Sequence, residues 1–204
     1  AQGILAALVR RGRIGEGARI EVSLLESILD LQFEGLTTYF NDGGRPLKRS
    51  AVTAAHPLQG APYGIYSTAD GFLALAMGGL DALADALGLD ELHAFDRPHD
   101  DFERGDEIRR LIAAHVGGKT TQHWVDLLEP AGIWCAPVLR YDELRRQPGY
   151  QALRMEQTVT RDGEFPVNTL RSPIRFDGER MFAPEAAPRV GRDNERLKAE
   201  IIDV

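Results

Sequence analysis

His56, Gln59, Gly60 and Tyr63 fall in one short run, His56-Pro57-Leu58-Gln59-Gly60-Ala61-Pro62-Tyr63. An imidazole, an amide and a phenol supply hydrogen-bond donors and acceptors, and the glycine and prolines free or stiffen the backbone between them. That mixture suits binding a ligand more than making or breaking a bond. The surrounding residues have little periodicity, so the run reads as a loop at a junction between two structured parts, a place where ligand sites concentrate. An ordinary linker is the alternative reading. His56, Gly60 and Tyr63 are taken as the candidate ligand-binding residues.

The other chemically suggestive groups point to structure. Gly117-Gly118-Lys119-Thr120 imitates the end of a phosphate-binding loop, but the motif needs a glycine where Ala113 stands and should follow a strand. Here it follows a periodic helix, so the glycines end one helix and Thr120 or Thr121 caps the next. His93, Asp96, His99, Asp100, Asp101 and Glu103 match no metal-binding spacing and read as a solvated loop between helices. Cys135 lies in an apolar stretch and reads as a small core residue. Ser23 lacks the flanking glycines of a nucleophile elbow and fits a helix cap. No catalytic residue and no metal ligand is assigned within the chain.

These groups need a folded frame, and the composition provides one. With 204 residues, of which 43% are hydrophobic, the chain is long enough for one large or two small cores. The net charge of -7 disfavours non-specific nucleic-acid binding, which needs a broad basic face. A single cysteine excludes an internal disulfide and fits a reducing compartment, the cytoplasm by default. No apolar run approaches the roughly 20 residues that span a bilayer, so no membrane is expected as a partner. The chain does not begin with Met, which suggests a fragment or processed product.

Periodicity predicts a first helix ended by Gly12. A short half-buried strand follows, on Ile20, Val22 and Leu24, and then a helix opened by the capping pair Ser23 and Glu26. After Gly60 the pattern changes to a hairpin, with Ile65-Tyr66-Ser67-Thr68 and Phe72-Leu73-Ala74-Leu75-Ala76-Met77 flanking Ala69-Asp70-Gly71, where Asp-Gly tolerates positive φ. Helices follow at about 80–88, 105–116 and 121–130, then an edge strand with Pro137 and a short helix over 142–146 closed by Pro148-Gly149. Short strands and turns precede a last helix from about Asn194.

Four stretches carry a family resemblance in register: the run from Gly15-Glu16-Gly17 to Ser23-Leu24-Leu25-Glu26-Ser27; Ala61-Pro62-Tyr63-Gly64 with Thr68-Ala69-Asp70-Gly71; Ala131-Gly132-Ile133 with Cys135-Ala136-Pro137-Val138; and Ala187-Pro188-Arg189-Val190-Gly191. Together they span nearly the whole chain, which resembles the C-terminal portion of a class III CoA-transferase. This is the formyl-CoA transferase and carnitine CoA-transferase type, which includes α-methylacyl-CoA racemases.

The resemblance implies an α/β fold, with part of a Rossmann-like large domain, a small α+β domain and an interlocked dimer. On it, residues 1–50 end the N-terminal part of the large domain, 60–145 form the small domain and 150–204 return to the large one. It implies acyl-CoA and a small carboxylic acid as partners, with the coenzyme A thioester as substrate and no permanently bound cofactor. Family members use an aspartate that here would lie upstream of Ala1, so the fragment alone is expected to be inactive. The loop at 56–60 corresponds to one beside the glycine-rich active-site loop of formyl-CoA transferases, and its lack of a glycine run argues against formyl-CoA or oxalate specificity. Racemase chemistry and a non-catalytic CoA-binding or dimerisation module are the alternatives.

Overall fold

The computed structural model describes residues 1–53, 56–161, 163, 165–183 and 185–202, which fall in two compact units, Ala1–Val138 and Leu139–Val204. In the first unit, α1 (Gln2–Ile14) runs through Gly12 and stops at Gly15, whose φ of 76° is the left-handed conformation a glycine adopts freely. α2 (Leu24–Leu31) and α3 (Phe33–Asn41) follow, and Ser23 caps α2 by accepting the Glu26 N–H at 3.3 Å. The strand expected on Ile20, Val22 and Leu24 does not form: residues 16–23 lie outside any helix or strand, and Val22 is 78% exposed. Alternation alone does not make a strand, which needs a hydrogen-bonding neighbour. No residue of α1, α2 or α3 is buried, although their apolar stripes are pronounced.

The core of this unit lies further along the chain. β1 (Gly64–Ser67) and β2 (Phe72–Leu75) form the expected antiparallel hairpin, with Tyr66 opposite Leu73. β3 (Cys135–Pro137) pairs with the other side of β2, so Pro137 stands on an edge strand, where the sheet tolerates its missing N–H. Tyr66, Leu73 and Leu75 are buried together with side chains from α4 (Leu80–Leu87), a 3₁₀ turn (Asp90–Ala94), α6 (Gly105–Val116) and α7 (Thr121–Leu128). Leu83, Leu92, Ile108, Ile112, Val116, Trp124 and Leu128 belong to this cluster. Each such side chain stabilises the fold by roughly 1.5–3 kcal/mol through burial. The short α5 (Asp100–Glu103) leads into α6.

The hairpin turn differs from expectation in its physics. Neither Asp70 nor Gly71 has a positive φ. Gly71 serves space instead, since a Cβ there would lie 3.2 Å from Thr121 Oγ1. Asp70 Oδ1 accepts the Thr121 N–H at 2.7 Å and the Thr121 hydroxyl at 3.0 Å, fastening the turn to the start of α7. Those bonds, the backbone one first, hold the Asp70 carboxyl below the usual carboxylate range. A depressed native pKa contributes stability above the unfolded value, about 3.9, that is lost as pH falls through the native one. Asp70→Ala should therefore lower the melting temperature near neutral pH, by an amount that shrinks on acidification to about pH 3. Thermal melts of both proteins across that range check this, and a deficit independent of pH would contradict it.

In the second unit α8 (Tyr141–Arg146) is followed directly by α9 (Pro148–Leu153), so Pro148 opens a helix where a closing signal was expected. Proline suits the first helical position because the N–H it lacks would have no partner there. β4 (Glu156–Arg161) and β5 (Phe165–Leu170) form a hairpin, and β6 (Arg175–Phe176) and β7 (Glu179–Arg180) form a second. α10 (Asn194–Ile202) ends the described residues. Gln157 and Val159 alone are buried among the described residues of this unit. Among the described residues no helix is long and apolar enough to cross a membrane.

Candidate functional site

Residues 56–63 hold a defined shape because two helices grip their backbone. The buried stripe of α6 comprises Gly105, Ile108, Arg109, Ile112 and Val116, so a guanidinium occupies a core position. Arg109 is 5% exposed, and burying a charge is costly unless acceptors meet it. They come from the loop: Arg109 Nη2 donates to the Gln59 carbonyl at 2.9 Å and Nε to the Tyr63 carbonyl at 3.2 Å. Gly105 makes room, since a Cβ there would stand 2.8 Å from Arg109 Nη1.

α5 holds the same loop at its middle. The Ala61 N–H donates to the Asp101 carbonyl at 2.8 Å, and a Cβ on Gly60 would lie 2.8 Å from Asp101 Cγ and closer still to Oδ2. Within the loop the Tyr63 N–H reaches the Gly60 carbonyl at 3.1 Å, and the Leu58 N–H reaches His56 Nδ1 at 3.3 Å. The buried Tyr66 hydroxyl donates to the Pro62 carbonyl at 2.6 Å, and burial pushes its phenol well above the usual range against the opposing charge of Arg109. Asp106, in the first turn of α6, accepts the Ser50 hydroxyl at 2.7 Å and the Ala51 N–H at 3.2 Å. The Ser50 bond is the main reason its carboxyl lies below the usual range.

The three expected binding residues share this clamped loop but face different surroundings. His56 lines a polar cavity of about 240 Å³ with Lys48, Arg49, Gln59, Asp106 and Arg109. Tyr63 lines a more apolar cavity of about 380 Å³ on the three-stranded sheet, with Ile65, Ala74, Trp134, Cys135 and Ala136. Gly60 lines neither, and its place is beneath Asp101. The first cavity sets the cations of Lys48 and Arg49 beside the carboxylates of Asp101, Glu103 and Asp106, so its charge is mixed, and the second offers apolar contact. The loop thus has binding and positioning chemistry on its two sides. Cys135 is not an activated nucleophile, because burial, and secondarily Glu129, push its thiol up.

The remaining singled-out groups have structural partners. Thr120 caps α7 by accepting the His123 N–H at 3.3 Å. His93 sits between Asp81, 3.0 Å from Nδ1, and Asp85, 3.3 Å from Nε2, and the Asp81 bond raises its pKa. Asp100, expected in a solvated loop, is buried and accepts the Arg97 N–H at 3.2 Å. Among the described residues no group of three or more His, Cys, Asp or Glu side chains could hold a metal ion. Sequence reasoning missed Arg109, Asp101 and Asp106. Arg109 left a readable signal, a charge in the i, i+3, i+4, i+7 stripe of an amphipathic helix, where it must find acceptors. The contact between Gly60 and Asp101 left none, because it depends on how distant segments meet.

Comparison with known proteins gives this loop a context. Residues 1–194 match the family model described as CoA-transferase family III. The acetyl-CoA:oxalate CoA-transferase of Acetobacter aceti is 27% identical over 75% of the chain and 40% of its own length. The succinyl-CoA:mesaconate CoA-transferase of Haloarcula hispanica is 28% identical over 100% of the chain and 50% of its own length. The chain thus spans about half the length, or less, of these curated relatives. A CAIB/BAIF family protein from Brucella suis has the same fold, with a TM-score of 0.71 at 23% identity over 98% of the chain and 52% of that structure.

Proposed function

Because the chain belongs to the class III CoA-transferases, we propose that the protein carrying it moves coenzyme A from an acyl-CoA to a small carboxylic acid. The family match over residues 1–194 is the observation that carries this reading. The names of the relatives support it, since each pairs an acyl-CoA with a carboxylic acid. In the proposed course an aspartate upstream of Ala1 attacks the thioester carbonyl and expels the CoA thiolate, leaving a mixed anhydride. The thiolate attacks the aspartyl carbonyl and releases the first acid, which leaves an aspartyl-CoA thioester. The acceptor carboxylate repeats the sequence in reverse and leaves as the new acyl-CoA. Covalent catalysis of this kind divides one difficult exchange into easier steps.

Within that scheme residues 56–63 face the acyl-CoA, with His56 and Tyr63 as contacts and Gly60 shaping the turn. Residues 60–145 are the small domain, and 1–50 and 150–204 are parts of the large one. The apolar residues exposed along α1, α2 and α3 support burial in an interlocked homodimer, a cytoplasmic one on this reading. The full-length protein should pass CoA from several acyl-CoA donors to labelled carboxylates. The 204-residue chain alone should not. His56→Ala and Tyr63→Ala should each lower kcat/KM roughly tenfold, about 1.4 kcal/mol of transition-state binding, while the proteins stay folded. Unchanged kinetics in both variants would return the loop to a linker. Deuterium uptake at the α-carbon of (R)-2-methylacyl-CoA with inversion, and no CoA transfer, would instead make the protein a racemase.

A further inference from the structure

We propose that Arg109 is a positioning residue, which sets the catalytic competence of the loop at 56–63 by holding the Gln59 and Tyr63 carbonyls from inside the core. This rests on the reading that the loop faces the acyl-CoA. The geometry supports a dedicated role. One planar guanidinium spans both carbonyls, at 2.9 and 3.2 Å, and they bracket the turn that carries Gly60, Ala61 and Pro62. Among the described residues no other side chain donates a hydrogen bond to either carbonyl. Asp106 Oδ1 lies 3.9 Å from Nη1 and supplies countercharge. Because the Arg109 side chain is only 6% exposed and its Nε and Nη2 are engaged by these carbonyls, it acts through the backbone it holds. The bonds fix where the Tyr63 ring starts its course over the apolar cavity and where His56 enters the polar one.

Lysine keeps the charge but carries a single ammonium, which lacks the rigid fork needed to span two carbonyls at once. In the full-length enzyme, Arg109→Lys should raise KM for the acyl-CoA about tenfold and leave KM for the acceptor acid within about twofold, with an unchanged far-UV circular dichroism spectrum. In a Tyr63→Ala background the same change should have little further effect, since the group it positions is gone. Gly105→Ala is a second perturbation that leaves Arg109 in place: its Cβ displaces Nη1 from the core side, and the same selective rise in KM is expected. This variant decides the matter if Arg109→Lys does not fold. Equal losses for both substrates, or full additivity with Tyr63→Ala, would make Arg109 merely structural and overturn the proposal. Normal kinetics in the folded Arg109→Lys and Gly105→Ala proteins, beside impaired Tyr63→Ala, would overturn it while sparing the loop's role. Normal kinetics in His56→Ala and Tyr63→Ala would overturn that role and this proposal with it.

Discussion

Trp124→Ala is expected to cost about 3–5 kcal/mol, enough to leave the first unit largely unfolded at moderate temperature. Trp124 is 3% exposed and packs among Val116, Leu128 and the rest of the central cluster. Its indole N–H also donates to the Val116 carbonyl at 2.7 Å, at the point where α6 ends. Truncation therefore removes a large apolar side chain, leaves a cavity and strips a buried carbonyl of its shorter hydrogen bond, leaving it the Lys119 N–H at 3.5 Å. Trp124→Phe separates these effects. It keeps most of the volume and loses the donor, so its cost should be nearer about 1 kcal/mol, the net worth of one hydrogen bond to a carbonyl that keeps a second donor. Urea unfolding followed by far-UV circular dichroism, with midpoints compared at constant slope, measures both. A loss below about 1 kcal/mol for the alanine variant would mean that the cluster around Trp124 can collapse without it.

The contrast between this core and the clamped loop shows what the sequence can express. Ile108, Ile112 and Val116 repeat along one helix, so the stripe they form is local and legible, as are the hairpin and the cap at Thr120. Ile20, Val22 and Leu24 repeat just as regularly, yet no strand forms there, because pairing depends on a neighbour that periodicity does not supply. The loop at 56–63 was legible as a candidate site from its mixture of imidazole, amide, phenol, glycine and proline. What holds it was not. Arg109 reads as one more charge in a polar helix until the stripe is counted, and its acceptors are carbonyls, which every residue has. The Asp-Gly pair suggests that Gly71 is there for its φ, whereas the fold needs its small size, because Thr121 comes close only in the folded chain.

Gly60→Ala tests the same distinction between backbone freedom and space at the candidate site. Gly60 does not have a positive φ, so an alanine there suffers no left-handed strain. Its Cβ would instead stand 2.8 Å from Asp101 Cγ and 3.1 Å from Asp101 Cβ, too close for either residue to remain in place. Overpacking of this kind costs roughly 1–3 kcal/mol. It also forces apart the Ala61 N–H and the Asp101 carbonyl, now 2.8 Å from each other, so the loop shifts as the fold weakens. Asp101→Ala alone should cost no more than about 0.5 kcal/mol, because the bond to Ala61 uses its backbone and its carboxylate has no hydrogen bond or ion pair among the described residues. Combining the two removes the contacts with Cγ and Oδ2 but keeps the 3.1 Å approach to Cβ, so it should restore part of what Gly60→Ala loses, a coupling of about 1 kcal/mol between residues in contact. Urea midpoints of the wild type, the two single variants and the double variant complete the cycle. If the double variant is no more stable than Gly60→Ala, the glycine is required for some property of its own backbone, and the clash with Asp101 is not what excludes a side chain at this position.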